Sequence, residues 1–311
     1  MNKLFTLKVP PVVQLSNITD LTEIFLPVNE ACKKNQDFDI VIDMGELSFI
    51  TPIGITALRA YIMYLSQHIN KKSGHIIRPC QNVDKYLDRM DFYTFLKNFK
   101  AYNTRRLDSS GRFLEAIEVK TEKIGLTVTN QVVELLKKQL KLSNEFISSV
   151  QYTVSEIIDN VFHHANSPIN GIVCAQAYPN LRRVEISIVD CGDGFYKSLQ
   201  ANDQLARKFS TPLEAIKLAI ERKVTGRPSI NAGEGLFFAT ELIKANKGNM
   251  VIYSEDGLLY IDDGDEHFKT VPYWKGSIVS LNFNLDNFLD IVSIFNNYAP
   301  PEEDYQFLFE S

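Results

Sequence analysis

The order of apolar segments across residues 126–283 constrains the fold more than any other feature of this sequence. Two segments with helical spacing are followed by two strand-like runs, a long polar insert, a third helical segment and further strands. That order is typical of an α/β (α+β) sandwich in which helices cover one face of a mixed sheet. The helical segments are 128–142, 145–165 and 236–245, and the strands are 171–177, 183–189, 250–254, 258–261 and 278–283.

The first hundred residues alternate strands and helices, which predicts a separate α/β domain at 1–100. The short apolar run Phe38–Met44 indicates a buried strand. Thr51 is a candidate cap for the next helix, which has Pro52 in its first turn. The remaining expected elements of this half are a strand at 74–77 and an amphipathic helix at 83–99.

A polar stretch then favours a linker at 101–125, ahead of a second domain at 126–285. A C-terminal helix and an acidic-aromatic tail are expected at 286–311. The tail has two readings: its acidic residues and aromatics dock on a partner, or they pack against their own domain.

Composition and charge exclude several classes of protein. The chain has 311 residues, is 45% hydrophobic, and has no apolar run long enough to cross a bilayer. Its start lacks a signal-peptide layout, and its four cysteines are scattered without metal-ligand spacing, which favours reduced thiols in a cytoplasm. Residues 1–125 carry 17 Lys+Arg and 14 Asp+Glu (net +3), whereas 126–311 carry 16 and 24 (net −8). An acidic second half argues against non-specific nucleic-acid binding there.

The first candidate site feature lies in the second predicted helix of residues 126–283. Glu156, Asn160 and His164 are four residues apart, so they share one face of that helix. An Asn oxygen suits magnesium, and a Glu carboxylate can accept a proton from an attacking water. The same pattern is equally consistent with a solvated polar face on an amphipathic helix.

Two glycine-containing segments follow. Asp190–Gly194 comes straight after an apolar strand, where a carboxylate can accept a hydrogen bond from an exocyclic amine; a tight surface turn is the alternative. Asn231–Leu236 opens a helix, whose free N–H groups attract phosphate; a flexible loop ending in a helix is the alternative. A fourth element, Gly276-Ser277, enters a late strand.

In this order, the four elements resemble the GHKL ATPases, which include histidine kinases, gyrase-type ATPases, Hsp90 and the bacterial anti-sigma serine kinases. Glu156 and Asn160 are similar to the N box of that family. The Asp-x-Gly-x-Gly box matches Asp190, Gly192 and Gly194. The remaining matches are Gly233, Gly235 and Leu236 for the glycine-rich box, and Gly276 and Ser277 for the final Gly-Thr element.

The resemblance implies Mg²⁺ and ATP as cofactors, with a role for each matching residue. Asn160 would hold the magnesium ion and Glu156 would be the general base. Asp190 would bind the adenine amino group. The remaining expected contacts are Gly192 and Gly194 at the base pocket, Gly233 and Gly235 at the phosphates, His164 on the phosphate side, and Arg227 from a mobile lid at 195–232. Leu236 and Ser277 are expected to contact the nucleotide as members of the matching boxes.

Two features of the sequence differ from the GHKL pattern and limit which branch of that family it can resemble. Phe237 stands where many relatives have another glycine, and no phosphoacceptor-histidine helix precedes residue 150, which argues against a two-component histidine kinase.

The N-terminal half resembles, more distantly, the STAS fold of anti-sigma-factor antagonists. The loop that carries a phosphorylated serine in that family reads Thr51-Pro52-Ile53-Gly54 here, which indicates a degenerate module for protein contacts. The alternative is an unrelated small α/β domain.

Two functions from different classes fit these residues. The first is a Mg-dependent ATPase or serine/threonine kinase resembling anti-sigma factors, acting on a protein partner such as a STAS-like or sigma-type regulator. The second is a catalytically weak, nucleotide-gated interaction switch. Neither half has the aromatic–basic stripe of a nucleic-acid-binding protein. A homodimer is a further expectation from the resemblance.

Overall fold

The computed structural model describes residues 3–34, 36–67, 74–96, 111–139, 144–164, 166–226 and 233–287. Within these ranges, no helix is both long and apolar enough to span a membrane. The described chain is a mixed α/β structure with several sheets, as the apolar pattern predicts.

The N-terminal half contains a three-stranded parallel sheet in the order β1-β3-β5 and a small parallel pair, β2-β4. Inner positions of β3 alternate with less buried ones, as expected of a strand with one covered face. The elements are β1 (Lys3–Lys8), β2 (Val12–Val13), α1 (Ile18–Glu23), α2 (Leu26–Lys33), β3 (Phe38–Asp43), β4 (Phe49–Ile50), α3 (Pro52–Leu65), β5 (Gly74–Ile77) and α4 (Gln81–Arg89).

The helix expected at 83–99 is shorter in the structure. It ends at Arg89, and Asp91 then adopts a left-handed backbone with φ of 56°. Such a conformation ends a helix because it cannot continue the i to i−4 ladder. Residues 97–99 of that expectation lie outside the described ranges.

The second half is built on a five-stranded sheet in the order β6-β7-β8-β10-β9. All four pairings are antiparallel, so the expectation of a mixed sheet is wrong for the described strands. The elements are β6 (Phe113–Val119), α5 (Glu122–Gln139), α6 (Asn144–His164), β7 (Gly171–Tyr178), β8 (Arg183–Val189), α7 (Gly194–Gln200), α8 (Pro212–Ala219), α9 (Gly235–Asn246), β9 (Asn249–Asp262) and β10 (Asp265–Asn284).

Part of the expected linker at 101–125 belongs to this sheet instead. Strand β6 pairs with β7, and Leu114, Ala116 and Val119 are buried despite their polar neighbours. Their apolar alternation is short and surrounded by charged residues, so the local pattern favours a linker although the segment is a strand. Residues 101–110 lie outside the described ranges.

Strands β9 and β10 form one long hairpin rather than three short strands. Asp263 and Gly264 connect them, and both have positive φ, of 46° and 92°. Two such residues form the turn that matches the twist of a hairpin. Register shifts between Thr270 and Ser277 introduce bulges into β10.

Helices cover both faces of the five-stranded sheet, whereas the sequence pattern predicted one covered face. Helices α5, α6 and α9 pack on one face, and α3 from the N-terminal half packs on the other, against β7 and β8. Successive buried residues of a strand belong to cores on opposite faces of this sheet. In β7, Cys174 belongs to the core that includes α3, and its neighbour Val173 belongs to the core that includes α6. Helix α3 is buried on nearly all sides, because it packs on β7 and β8 and its apolar residues share one core cluster with β1 and β3.

The contact between α3 and the sheet includes a buried polar cluster. Thr51 occupies the N-cap position of α3, but its hydroxyl makes no cap bond and instead donates to Glu185 Oε1 at 2.9 Å. The same oxygen accepts from the Ile53 backbone N–H at 2.9 Å. The Glu185 carboxylate therefore performs the capping that the sequence assigned to the Thr51 hydroxyl. Thr51 is fully buried, so its hydroxyl is inaccessible to a kinase in this arrangement.

Candidate functional site

The four sequence elements meet at a cavity between α6, the end of β8, β10 and the start of α9. Eight of the eleven predicted site residues line it, although more than a hundred positions separate the first from the last. These are Glu156, Asn160, Asp190, Gly194, Gly233, Gly235, Leu236 and Ser277. The alternatives of a solvated helix face, a surface turn and a loop do not by themselves explain this convergence.

Asp190 lies at the end of β8 and is almost completely buried. Its Oδ1 accepts a hydrogen bond from Gly192 N at 2.6 Å, and its Oδ2 accepts one from the Ser277 hydroxyl. Burial raises the pKa of Asp190 to about 6, and the bonds from Ser277 and Gly192 limit the rise because they favour the carboxylate. A hydrogen-bonded, buried carboxylate at a cavity wall is suited to accept from a further N–H donor.

Gly276 allows β10 to approach this carboxylate. Its φ is +95°, and a Cβ at this position would lie 2.5 Å from Asp190 O and 2.6 Å from Asp190 Oδ1. Only glycine fits such a close approach without displacement. The sequence pattern identified Gly276 merely as the start of a strand, because the contact depends on pairing between distant segments.

Glu156 is half-buried on α6, one helical turn before Asn160. Burial raises its pKa above the usual carboxyl value, and the neighbouring charges of Asp159 and Glu234 raise it further. A raised pKa makes the carboxylate a stronger proton acceptor, which suits a general base.

Gly235 brings the start of α9 directly against Glu156. A Cβ added to Gly235 would lie 2.3 Å from the Glu156 Cβ. Gly233 has a φ of +68°, and a Cβ there would meet the Val224 backbone at 2.5 Å. Helix α9 begins without a side-chain cap at Glu234, so its first turn directs backbone N–H groups toward the cavity end. The helix start can therefore attract an anion beside Glu156.

An ion pair at this helix start was not predicted from the sequence. Arg222 Nε donates to Glu234 Oε1 at 3.1 Å, which joins the segment before the glycine-rich element to the start of α9. The twelve-residue separation and the intervening glycines give no periodic signal for such a pair. It holds the segment that ends at Gly226 close to the cavity.

The expected lid at 195–232 lies within the described residues as far as Gly226. It contains most of α7, all of α8 and apolar residues that line the cavity, among them Phe195, Leu199 and Val224. The cavity volume is about 70 Å³, well below the roughly 300–1,000 Å³ of ordinary ligand pockets. The described part of this segment therefore leaves little enclosed space in the cavity.

Three predicted residues do not line the cavity in the described structure. Gly192 lies beside it and donates its N–H to Asp190. His164 is the last residue of α6, and the structure describes its backbone but not its side chain. Arg227, Asn231 and Ala232 lie outside the described residues. In the parts of the chain that are described, no group of three or more His, Cys, Asp or Glu side chains is arranged to hold a metal ion.

Comparisons with known proteins add no assignment. A scan against protein-family models finds no match, and a search of curated proteins finds no significant relative.

Proposed function

We propose that this chain binds Mg-ATP in the cavity and acts as a regulatory ATPase or serine/threonine kinase through protein partners. The observation that carries the proposal is the convergence of α6, the end of β8, β10 and the start of α9 on one cavity. Each element contributes the chemical group that one part of the nucleotide needs. The resemblance to GHKL ATPases, drawn from the same residues, supports the same assignment.

The adenine end lies at Asp190 and Ser277. With a pKa of about 6, the Asp190 carboxylate is mainly ionised at pH 7 and accepts a hydrogen bond from the exocyclic amine. Ser277 and the Gly192 N–H hold the carboxylate in place. A 6-oxo base presents an acceptor in place of this donor, so the site should discriminate against it.

The phosphate end lies at Glu156, Asn160 and the first turn of α9. Backbone N–H groups near Gly233 and Gly235 are suited to the phosphate oxygens. Asn160 would contribute one oxygen to the magnesium ion, with the phosphates and water as its other ligands, which is how magnesium is usually held in nucleotide sites. The ion would neutralise charge that develops on the phosphates.

Glu156 would take the proton of the attacking group. Its half-buried position, with Asp159 and Glu234 nearby, strengthens it as a base. Water and a protein hydroxyl both need a base that accepts the O–H proton as the oxygen attacks. The same position of Glu156 therefore suits an ATPase and a kinase.

A second function, a nucleotide-gated interaction switch with weak catalysis, is favoured by the lid. Phe195, Leu199 and Val224 line a cavity of about 70 Å³, which is small for a nucleotide, so ATP binding would displace part of the 195–226 segment. That displacement would change the surface offered to a partner. A STAS-like or sigma-type regulator and a second copy of this chain remain the proposed partners.

The proposed location is the cytoplasm, since Cys32, Cys80, Cys174 and Cys191 are all unpaired.

Incubation of the full chain with γ-labelled ATP and magnesium, alone and with neighbouring gene products, distinguishes these functions. Label on a neighbouring protein supports the kinase, and free phosphate supports the ATPase. Tight binding without label transfer or phosphate release supports the switch. Absence of any nucleotide binding contradicts all three.

A further inference from the structure

A bulged part of β10 connects the N-terminal half to Asp190. Residues 273–277, the bridge segment, lie where regular pairing with β9 is interrupted on both sides of Trp274. A bulge re-aims side chains and increases local twist. The bridge segment therefore directs groups toward both the cavity and the N-terminal helices.

On the cavity side, the bridge segment holds Asp190 and its turn from several directions. The Trp274 indole N–H donates to Asp190 O at 3.2 Å, and Lys275 Nζ donates to Gly192 O at 3.4 Å. The Ser277 hydroxyl donates to the Asp190 carboxylate, and the Ser277 carbonyl accepts from Asp190 N at 2.9 Å. A displacement of this segment would thus move the carboxylate.

On the opposite side, helices α2 and α3 hold the same segment. Asn29 donates from Nδ2 to Tyr273 O at 3.2 Å, and its Oδ1 accepts from the Tyr61 hydroxyl at 2.8 Å. The rings of Phe25 and Tyr61 are stacked, and both lie within 6.2 Å of the Trp274 ring centroid. Trp274 itself is 1% exposed, so it has little room to adjust independently of these rings.

We propose that Asn29 and Trp274 are positioning residues that couple the N-terminal half to the adenine end of the ATP site. This inference rests on the proposed function of the cavity. A partner that shifts α2 or α3 changes the affinity for adenine through the bridge segment. By thermodynamic linkage, ATP then changes the affinity for that partner by the same factor.

The test compares the full chain with the variants Asn29→Ala and Trp274→Phe. Each is titrated calorimetrically with Mg-ATP and with the 6-oxo analogue Mg-ITP. Asn29→Ala removes the support of Tyr273, whereas Trp274→Phe keeps an aromatic ring but removes the indole N–H donor and part of the buried ring volume. Lys34→Ala, at an exposed position just after α2, is the matched control.

Both variants are expected to weaken ATP binding by about five-fold or more, the lower range of typical coupling. ITP binding should change by less than about two-fold, because ITP does not use the amine contact. A fall in the ATP-to-ITP affinity ratio supports the coupling, whereas general destabilisation would weaken both ligands alike. Lys34→Ala should retain the wild-type ratio.

The emission of Trp274 gives a second readout, since it is the single tryptophan of the chain. ATP should shift its emission in the wild type, and the shift should be smaller in Asn29→Ala. If the wild type binds ATP but both variants keep the wild-type ratio and Asn29→Ala keeps the full emission shift, the coupling is overturned and the ATP site stands. If the wild type binds no nucleotide, the proposed function fails, and the coupling with it.

Discussion

The approach of Gly276 to Asp190 gives the sharpest prediction, because a second glycine of the chain is a matched control. Gly276 and Gly264 have nearly equal φ values, of +95° and +92°, so an alanine would have an unfavourable positive φ at either position. A Cβ at Gly264 would meet nothing within 4 Å, whereas a Cβ at Gly276 would lie 2.5 Å from Asp190 O and Gly192 N. The difference between Gly276→Ala and Gly264→Ala therefore isolates the close approach to Asp190.

The strain common to both variants costs about 1–2 kcal/mol. The overpacking confined to Gly276→Ala costs a further amount of about 1–3 kcal/mol, since backbone atoms must move to accept the new methyl group. At roughly 2–4 °C of Tm per kcal/mol, the range for folding units of 150–250 residues, Gly276→Ala should melt about 2–12 °C below Gly264→Ala. Its ATP affinity should also fall, while that of Gly264→Ala stays at the wild-type level.

Thermal melting followed by circular dichroism, with and without Mg-ATP, measures both effects. Equal Tm values for the two variants, together with equal ATP affinities, would refute the packing of β10 against Asp190.

Three further predictions concern single groups. Glu156→Gln should keep ATP binding within about three-fold but lower phosphate release or transfer by roughly 10²–10⁴-fold, the usual share of a general base; undiminished turnover in a colorimetric phosphate assay would exclude Glu156 from that role. ATP affinity should fall as the pH drops through about 6, because protonation removes the charge of the Asp190 carboxylate; Asp190→Asn should lose this component while keeping any pH dependence of ATP itself, and identical calorimetric pH profiles would contradict it. Thr51→Val should lower stability by about 1–3 kcal/mol, since it removes a buried donor to the Glu185 carboxylate; an unchanged urea midpoint would show that this bond contributes little.

Local patterns in the sequence predicted the main elements of the fold well. The strand at Phe38–Met44, the helix after Thr51 and the helices around Glu156 and Leu236 all occur in the structure. Each has an apolar period long enough to dominate its neighbours. The general α/β class followed from their order, whereas the family resemblances remain predictions.

Features that depend on distant pairing were missed. Strand β6 lies in a polar context, and its pairing with β7 could not be read from local periodicity. The packing of α3 on the back of the five-stranded sheet was also missed, although the nearly continuous apolar sequence of α3 is a signal for burial on all sides. The local pattern predicts a helix-cap role for the Thr51 hydroxyl because its acceptor, Glu185, lies 134 residues away.

In the candidate site, too, residues with a local sequence signal were predicted, and residues that depend on distant contacts were not. Sequence spacing identified residues that line the cavity, because glycines and carboxylates at element ends carry local signals. Sequence spacing did not identify Trp274, Arg222 or the close approach of Gly276 to Asp190, since the partners of these residues lie in other segments. The roles of Glu156 and Asp190 remain predictions until nucleotide binding is measured.

Calorimetric titration of the full chain with Mg-ATP tests the central claim most directly. Binding of one ATP per chain, weakened by Asp190→Asn and by Asn160→Ala but not by Lys34→Ala, is the predicted result. No binding heat at any temperature, or equal ATP affinity in all three variants, would contradict the assignment of this cavity to a nucleotide.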